Sequence, residues 1–177
     1  MLNIDTIFSL VSIFINDDDL LNESEKKERV SKCVQTILQE IAQDYLHCIF
    51  SEKLSLKAGE KFFFSKLSKS IISMRNLLKN DCSVPFKLFN DGFMVQEDGE
   101  YTVIYNYLPI INGESGVISE FSPSLTDRVV SYGVAAEYLL LEGRYDEASL
   151  WDSRFRDGLK SAIRLYHPIK LKGKVWY

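Results

Sequence analysis

Apolar residues recur at steps of three and four in three parts of the chain, which is the period of an amphipathic helix. The first part is short, at residues 7–15, and the second runs over residues 30–49 as one long stripe. The third part covers residues 124–166, where Gly143 separates two apolar stripes. Because glycine readily adopts the left-handed conformation that ends many helices, the third part predicts a hairpin of two helices. Gly133, Ala135 and Ala136 on the first helix are small enough to let Trp151 or Phe155, on the inner apolar stripe of the second, approach closely.

In the middle of the chain the apolar period changes to two, which is the period of a β-strand. Turn sequences occur at residues 90–92 and 98–99, and Pro109 follows the last alternating run. One face of that last run carries Tyr101, Val103, Tyr105 and Tyr107. Short alternating runs joined by such turns predict a small antiparallel β-meander over residues 53–109.

These elements predict an α+β protein that is mainly a helical bundle, with the small antiparallel β-meander inserted and an extended strand at the tail. A length of 177 residues suits a single domain. The predicted parts are a helical segment at 1–50, the meander at 53–109, a loop at 110–123, the helical hairpin at 124–166 and the tail at 167–177.

Composition and charge narrow the classes of function. Apolar residues make up 46% of the chain and charged residues 26%, as in an ordinary globular protein. The net charge of -4 argues against a nucleic-acid-binding surface, which needs a local excess of lysine and arginine. The apolar run at 7–15 is far shorter than the roughly 20 residues of a membrane-spanning helix, so we expect a packed helix in a cytosolic protein. The three cysteines, Cys33, Cys48 and Cys82, form no CxxC pair and are expected to be reduced thiols.

Candidate chemistry is scarce along the chain. The two histidines, His47 and His167, are far apart and fit no metal-ligand spacing. The acidic run at 17–19 could bind a cation, but it lacks the glycine turn and distal glutamate of a calcium loop, which favours a linker or helix cap. The tyrosine face could stack on bases, but the acidic residues beside it favour packing inside the protein. We therefore expect no catalytic residue, no metal site and no cofactor.

Two segments have the composition of partner-binding surfaces. The loop after the meander has no period and carries Ile111, Val117 and Phe121. The tail alternates lysines with apolar residues and has no following strand to pair with, so we expect it to add to a neighbour's sheet or to dock its aromatic residues on a partner. Its predicted partner-binding residues are Ile169, Leu171, Lys172, Lys174, Val175, Trp176 and Tyr177.

A set of residues in the meander and the hairpin resembles a known family. They are Asp98-Gly99-x-Tyr101 with Tyr105 and Pro109, Gly133-x-Ala135-x-x-Tyr138, and Gly143-x-Tyr145-x-Glu147-Ala148 with Trp151 and Phe155. Over roughly residues 71–177 the chain resembles the small neck proteins of tailed bacteriophages, the head-to-tail adaptors that form a ring under the portal. The acidic charge and the NDDDL segment depart from that pattern.

The resemblance implies a structural virion component without enzymatic activity, made in the cytoplasm of the host bacterium. Its partners would be the portal protein, further neck or tail proteins and copies of itself, usually in a ring of twelve. DNA would pass through the channel without sequence-specific binding, and no membrane would be involved. Two other classes stay open: another virion protein such as a tail-completion factor, and an intracellular protein-binding module or small enzyme.

Overall fold

The computed structural model describes residues 1–20, 22–111 and 116–166. The chain divides into two compact units, the first formed by Met1–Glu40 with Ile111–Tyr177 and the second by Ile41–Ile110. The expectation of a single domain stays a prediction beside this division. Of the described residues, 46% are helical and 26% lie in strands of three antiparallel sheets. The fold is therefore a mixed α+β fold with substantial sheet, and the expectation that it is mainly a helical bundle is wrong.

The error arises where the long apolar stripe was extended through Ile49. The α-helix ends at Glu40 and gives way to one π-helical turn at Ile41–Tyr45. In that turn the Leu46 N–H donates to the Ile41 carbonyl at 2.7 Å. The strand that follows begins at Cys48, and its residues alternate between the two faces of a sheet. Since Cys48 and Ile49 also fall at helical steps, the apolar period alone does not show where the helix ends.

Helices dominate the first unit. They are α1 (Ile4–Ile15), α2 (Ser24–Glu40), α3 (Asp127–Leu141) and α4 (Tyr145–Tyr166). Helix α3 is central, since it packs against α1, α2 and α4. Asn3 caps α1 by accepting from the backbone N–H groups of Asp5 and Thr6, and Thr126 caps α3 through Val129. The short helix at the start of the chain and the helical hairpin are confirmed.

Two glycines set the distance between α3 and α4. A β-carbon on Gly133 of α3 would lie 2.9 Å from Cε2 of Phe155, and one on Gly158 of α4 would lie 2.8 Å from Cγ2 of Val129. At both positions an added methyl group would force the neighbouring side chains to shift. The two helices therefore pack closely at Gly133 and Gly158, where one of them has no side chain.

The second unit holds two sheets. Its strands are β2 (Cys48–Leu56), β3 (Lys61–Phe63), β4 (Ile71–Lys79), β5 (Cys82–Ser83), β6 (Lys87–Phe89), β7 (Gly92–Met94) and β8 (Gly99–Tyr107). One sheet has the order β2-β8-β4-β5 and the other the order β3-β7-β6. The central strand β8 pairs with β2 along nine residues, from Cys48 opposite Tyr107 to Leu56 opposite Gly99. This larger sheet is not a small meander, because strands distant in sequence are its neighbours.

The alternation within β8 is confirmed. Its tyrosine face, Tyr101, Val103, Tyr105 and Tyr107, is buried along its whole length. The hydroxyl of Tyr105 donates to Oε1 of Glu52 at 2.7 Å, so its polar end is satisfied. Within the described part of the chain, no helix is both long and apolar enough to cross a bilayer.

Candidate protein-interaction site

The helical hairpin of α3 and α4 carries a concave surface in the described part of the first unit. Because Gly133 and Ala136 have little or no side chain, α3 leaves an open groove between itself, α2 and α4, which we call the hairpin groove. It encloses about 370 Å³. Its lining is Ile37 and Glu40 from α2, Gly133, Ala136, Glu137 and Leu140 from α3, and Tyr145, Ala148, Ser149, Asp152, Phe155 and Arg156 from α4.

The hairpin groove is apolar at its floor and charged at its rim. Ile37, Ala148 and Phe155 are buried, whereas Leu140 and Tyr145 expose much of their apolar surface at the turn between the helices. Exposed apolar side chains beside a concave surface are typical of a protein-interaction site. The site therefore offers apolar contact area on the hairpin itself.

Glu137 is the unusual charge of the groove. Two neighbouring acidic residues have arginine partners: Glu142 lies 2.8 Å from Arg29, and Asp152 accepts from Nε of Arg156 at 2.8 Å. Within the residues that the structure describes, Glu137 has no ion pair, although it is half-buried. Burial, with a smaller contribution from the Glu137 carboxylate, raises the pKa of the Cys33 thiol to about 12. The groove thus holds a negative charge that a cation from outside could neutralise.

An aromatic cluster lies on another side of the hairpin, where α1 packs. The ring of Trp151 stacks on Phe14 with centroids 4.6 Å apart and on Tyr132 with centroids 5.6 Å apart. Two guanidinium groups cover it, Arg154 at 4.7 Å from the Trp151 ring and Arg128 at 5.7 Å from the Tyr132 ring. All three rings are half-buried, and tryptophan, tyrosine and arginine are the residues most enriched at the energetic centres of interfaces.

The groove and the cluster face different directions. Tyr132 and Glu137 are five residues apart on α3, which at about 100° per residue separates them by about 140° around the helix axis. One of these surfaces carries a carboxylate that has no ion pair within the described part of the chain, and the other carries two arginines. The first unit therefore presents two chemically different surfaces.

The residues predicted from the loop divide into two groups. Ile111 and Phe121 are buried, whereas Val117 exposes 62% of its surface. Val117 belongs to β9 (Val117–Ile118), which pairs with β1 (Leu2–Asn3) in a two-stranded sheet. Of the three, Val117 is the one whose side chain a partner could reach without rearrangement. The predicted tail residues, Ile169, Leu171, Lys172, Lys174, Val175, Trp176 and Tyr177, lie outside the described residues.

The residues considered for metal chemistry have local partners. The carboxylate of Asp17 accepts from the Asp19 N–H at 3.0 Å and lies 3.1 Å from Nζ of Lys26. Nδ1 of His47 lies 3.0 Å from the Ala42 carbonyl, and His167 lies outside the described residues. Over residues 1–20, 22–111 and 116–166, no group of three or more histidine, cysteine or acidic side chains is placed to hold a metal ion.

The second unit contains one well-formed polar network, around Glu52. Its carboxylate accepts from the Ser68 hydroxyl at 2.5 Å, from the Ser68 N–H at 3.1 Å and from Tyr105 at 2.7 Å. Burial raises the pKa of Glu52, but these hydrogen bonds outweigh it and hold the pKa below its ordinary value. Since every partner ties one strand or loop to another, this network supports the fold of the sheet.

No protein-family model matches the chain, and no curated protein matches it in sequence. Its surfaces therefore have to be interpreted from their own chemistry. Sequence reasoning named Trp151 or Phe155 as the close neighbour of Gly133, and the structure shows Phe155, but it missed the groove beside this contact. It also placed Trp151 on the inner stripe, although the ring lies half-exposed in the aromatic cluster; the adjacent arginine at position 154 was the available signal.

Proposed function

We propose that this protein is a structural component of a tailed bacteriophage, the head-to-tail adaptor that joins portal to tail as a ring around the DNA channel. The proposal combines the resemblance in the meander and the hairpin with one structural observation. That observation is the pair of different surfaces on the hairpin, the acidic groove and the arginine-covered aromatic cluster.

A ring needs such a pair. In a cyclic assembly of more than two copies, each subunit contacts its two neighbours through different surfaces, whereas a two-fold dimer uses one surface twice. The groove carries Glu137, which has no ion pair among the residues that the structure describes, and the cluster carries Arg128 and Arg154 on partly exposed rings. Two chemically different surfaces on one hairpin fit the two different contacts that a ring subunit makes with its neighbours.

The role we propose requires no catalytic residue, metal or cofactor. The free energy of assembly would come from the interface area buried between copies, and between this protein and the portal protein or further neck or tail proteins. In this proposal the protein is made in the cytoplasm of the host bacterium and ends in the virion. DNA passes through the ring without sequence-specific contact, in keeping with the acidic net charge of -4.

Two measurements test this proposal. Native mass spectrometry of the purified full-length chain at micromolar concentration should show a closed oligomer, with twelve copies as the expectation. Antibodies against the chain, applied to purified virions of the bacteriophage that encodes it, should label the junction of head and tail. A dimer in solution together with unlabelled particles would refute the adaptor, and labelling at the distal tail would favour a tail-completion protein.

A further inference from the structure

We propose that the hairpin groove binds the lysine-rich segment at residues 169–175 of a neighbouring copy of this chain. This inference rests on the proposed ring and names the contact that closes it. Three properties of the groove favour this occupant: the Glu137 carboxylate, which has no ion pair among the described residues, the apolar floor, and the charge balance of the unit around it.

The carboxylate of Glu137 favours a cationic occupant. Glu137 is half-buried beside the apolar side chains of Ile37 and Leu140, and within the described residues it has no ion pair. A partly desolvated charge is costly unless an opposite charge neutralises it. The nearest guanidinium in the groove, Arg156, already donates to Asp152 at 2.8 Å. A cation carried by the occupant of the groove could therefore neutralise Glu137 without breaking that pair.

The floor requires apolar side chains from the same occupant. Phe155 and Ala148 are buried below it, and Leu140 and Tyr145 form exposed apolar walls. An occupant that satisfies both demands alternates apolar and basic side chains. The segment at 169–175 reads Ile-Lys-Leu-Lys-Gly-Lys-Val, so an extended chain would turn its lysines to one side and its apolar residues to the other.

Charge balance points to the same segment. Residues 1–40 and 111–166 contain seventeen acidic and ten basic side chains, whereas residues 167–177 contain three lysines and no acidic residue. The second unit, residues 41–110, contains eight of each and offers no comparable excess. The tail is thus the part of this chain whose charge best complements the hairpin groove.

The tail is long enough to reach either the groove of a neighbouring copy or the groove of its own chain. From Asp152 to Tyr166 helix α4 rises about 21 Å, while eleven further residues can span up to about 36 Å. We place the contact between copies because a ring subunit has to give one surface and receive another. Docking of a tail into its own groove is the competing outcome of the experiment.

The experiment uses two full-length chains in a Cys82→Ser background, one carrying Ser149→Cys in the groove and the other Lys172→Cys in the tail. After mixing and mild oxidation, we expect a disulfide that links the two different chains, identified by mass spectrometry of the joined peptides. The matched control replaces Ser153, which is exposed on α4 outside the groove, and should link several-fold less.

Two results would overturn the inference. One is equal linking of the groove and control cysteines, and the other is a disulfide that forms within a chain carrying both cysteines but not between chains. A further variant, Glu137→Lys, should weaken association about tenfold through loss of the ion pair, and replacing the three tail lysines by glutamate should restore it. A ring seen by mass without the groove disulfide would reject this contact and leave the adaptor proposal standing, whereas a monomeric chain absent from particles would reject both.

Discussion

Replacing Gly133 by alanine is the most direct perturbation of the hairpin. The added β-carbon would lie 2.9 and 3.0 Å from two carbons of the Phe155 ring and 3.0 Å from Cγ2 of Ile37. Phe155 belongs to α4 and Ile37 to α2, and both side chains are buried. Because the new atom is wedged between two other helices, no single side chain can move away to make room for it.

Two opposing effects determine how much Gly133→Ala changes the free energy of unfolding. Overpacking a closely packed core costs about 1–3 kcal/mol, whereas alanine is favoured over glycine inside a helix by about 1 kcal/mol. We therefore expect the free energy of unfolding to fall by about 1 kcal/mol. For a chain of this length each kcal/mol lowers Tm by about 2–4 °C.

Urea titration and thermal melting of the full-length protein would measure the change. Ser153→Ala is the matched control, because Ser153 is exposed on α4 and the replacement gains helix propensity without a new contact. Gly133→Ala should also cost less in a Phe155→Leu background, with a coupling energy of about 0.5–3 kcal/mol. If Gly133→Ala left the stability equal to or above that of the wild type, the close approach of the helices would not be what selects glycine here.

Three further predictions concern other parts of the chain. The folded-state pKa of Glu52 lies below its ordinary value of 4.5, so the stability that its carboxylate contributes is present above pH 4.5 and is lost as the pH falls through the folded-state pKa. Tyr105→Phe removes one hydrogen bond to this carboxylate and should reduce the acid dependence of stability, as measured by urea titrations between pH 7 and pH 3. A thiol reagent should label Cys82 at once in the native protein and the two buried cysteines only after unfolding, and fast labelling of all three would contradict their burial. Deletion of residues 169–177 should leave Tm nearly unchanged while abolishing assembly, whereas loss of folding would show that the tail belongs to the core of its own subunit.

The sequence was sufficient to predict elements whose period is unambiguous. The apolar stripes of α1, α3 and α4 have helical spacing alone, and the tyrosine face of β8 has strand spacing alone, so each was placed correctly. The helical steps continue through Ile49, although Cys48 and Ile49 already belong to β2; there the local pattern cannot decide, because pairing with β8 does. The order β2-β8-β4-β5 depends on contacts between distant segments, which periodicity does not contain.

The same limit applies to the candidate site. Glycine at 133 and aromatic residues at 151 and 155 predicted close helix packing, and the structure assigns the contact to Phe155. That Glu137 would lack an ion pair among the described residues could not be predicted, because its charged neighbours are set by how α2 and α4 lie on α3. A pattern along one helix gives the direction of a side chain, whereas its partners come from the other helices.

The hairpin groove and the stability of the hairpin depend on the same small residues. Without a side chain at 133, α3 lets Phe155 and Ile37 approach its backbone, and the space beside this contact is the groove. A larger residue there would push on the core and narrow the groove at once. The packing of α2, α3 and α4 therefore fixes the shape of the surface that we propose receives the neighbour's tail, while Glu137 fixes its charge. In this way the fold can specify a head-to-tail contact with few residues dedicated to binding alone.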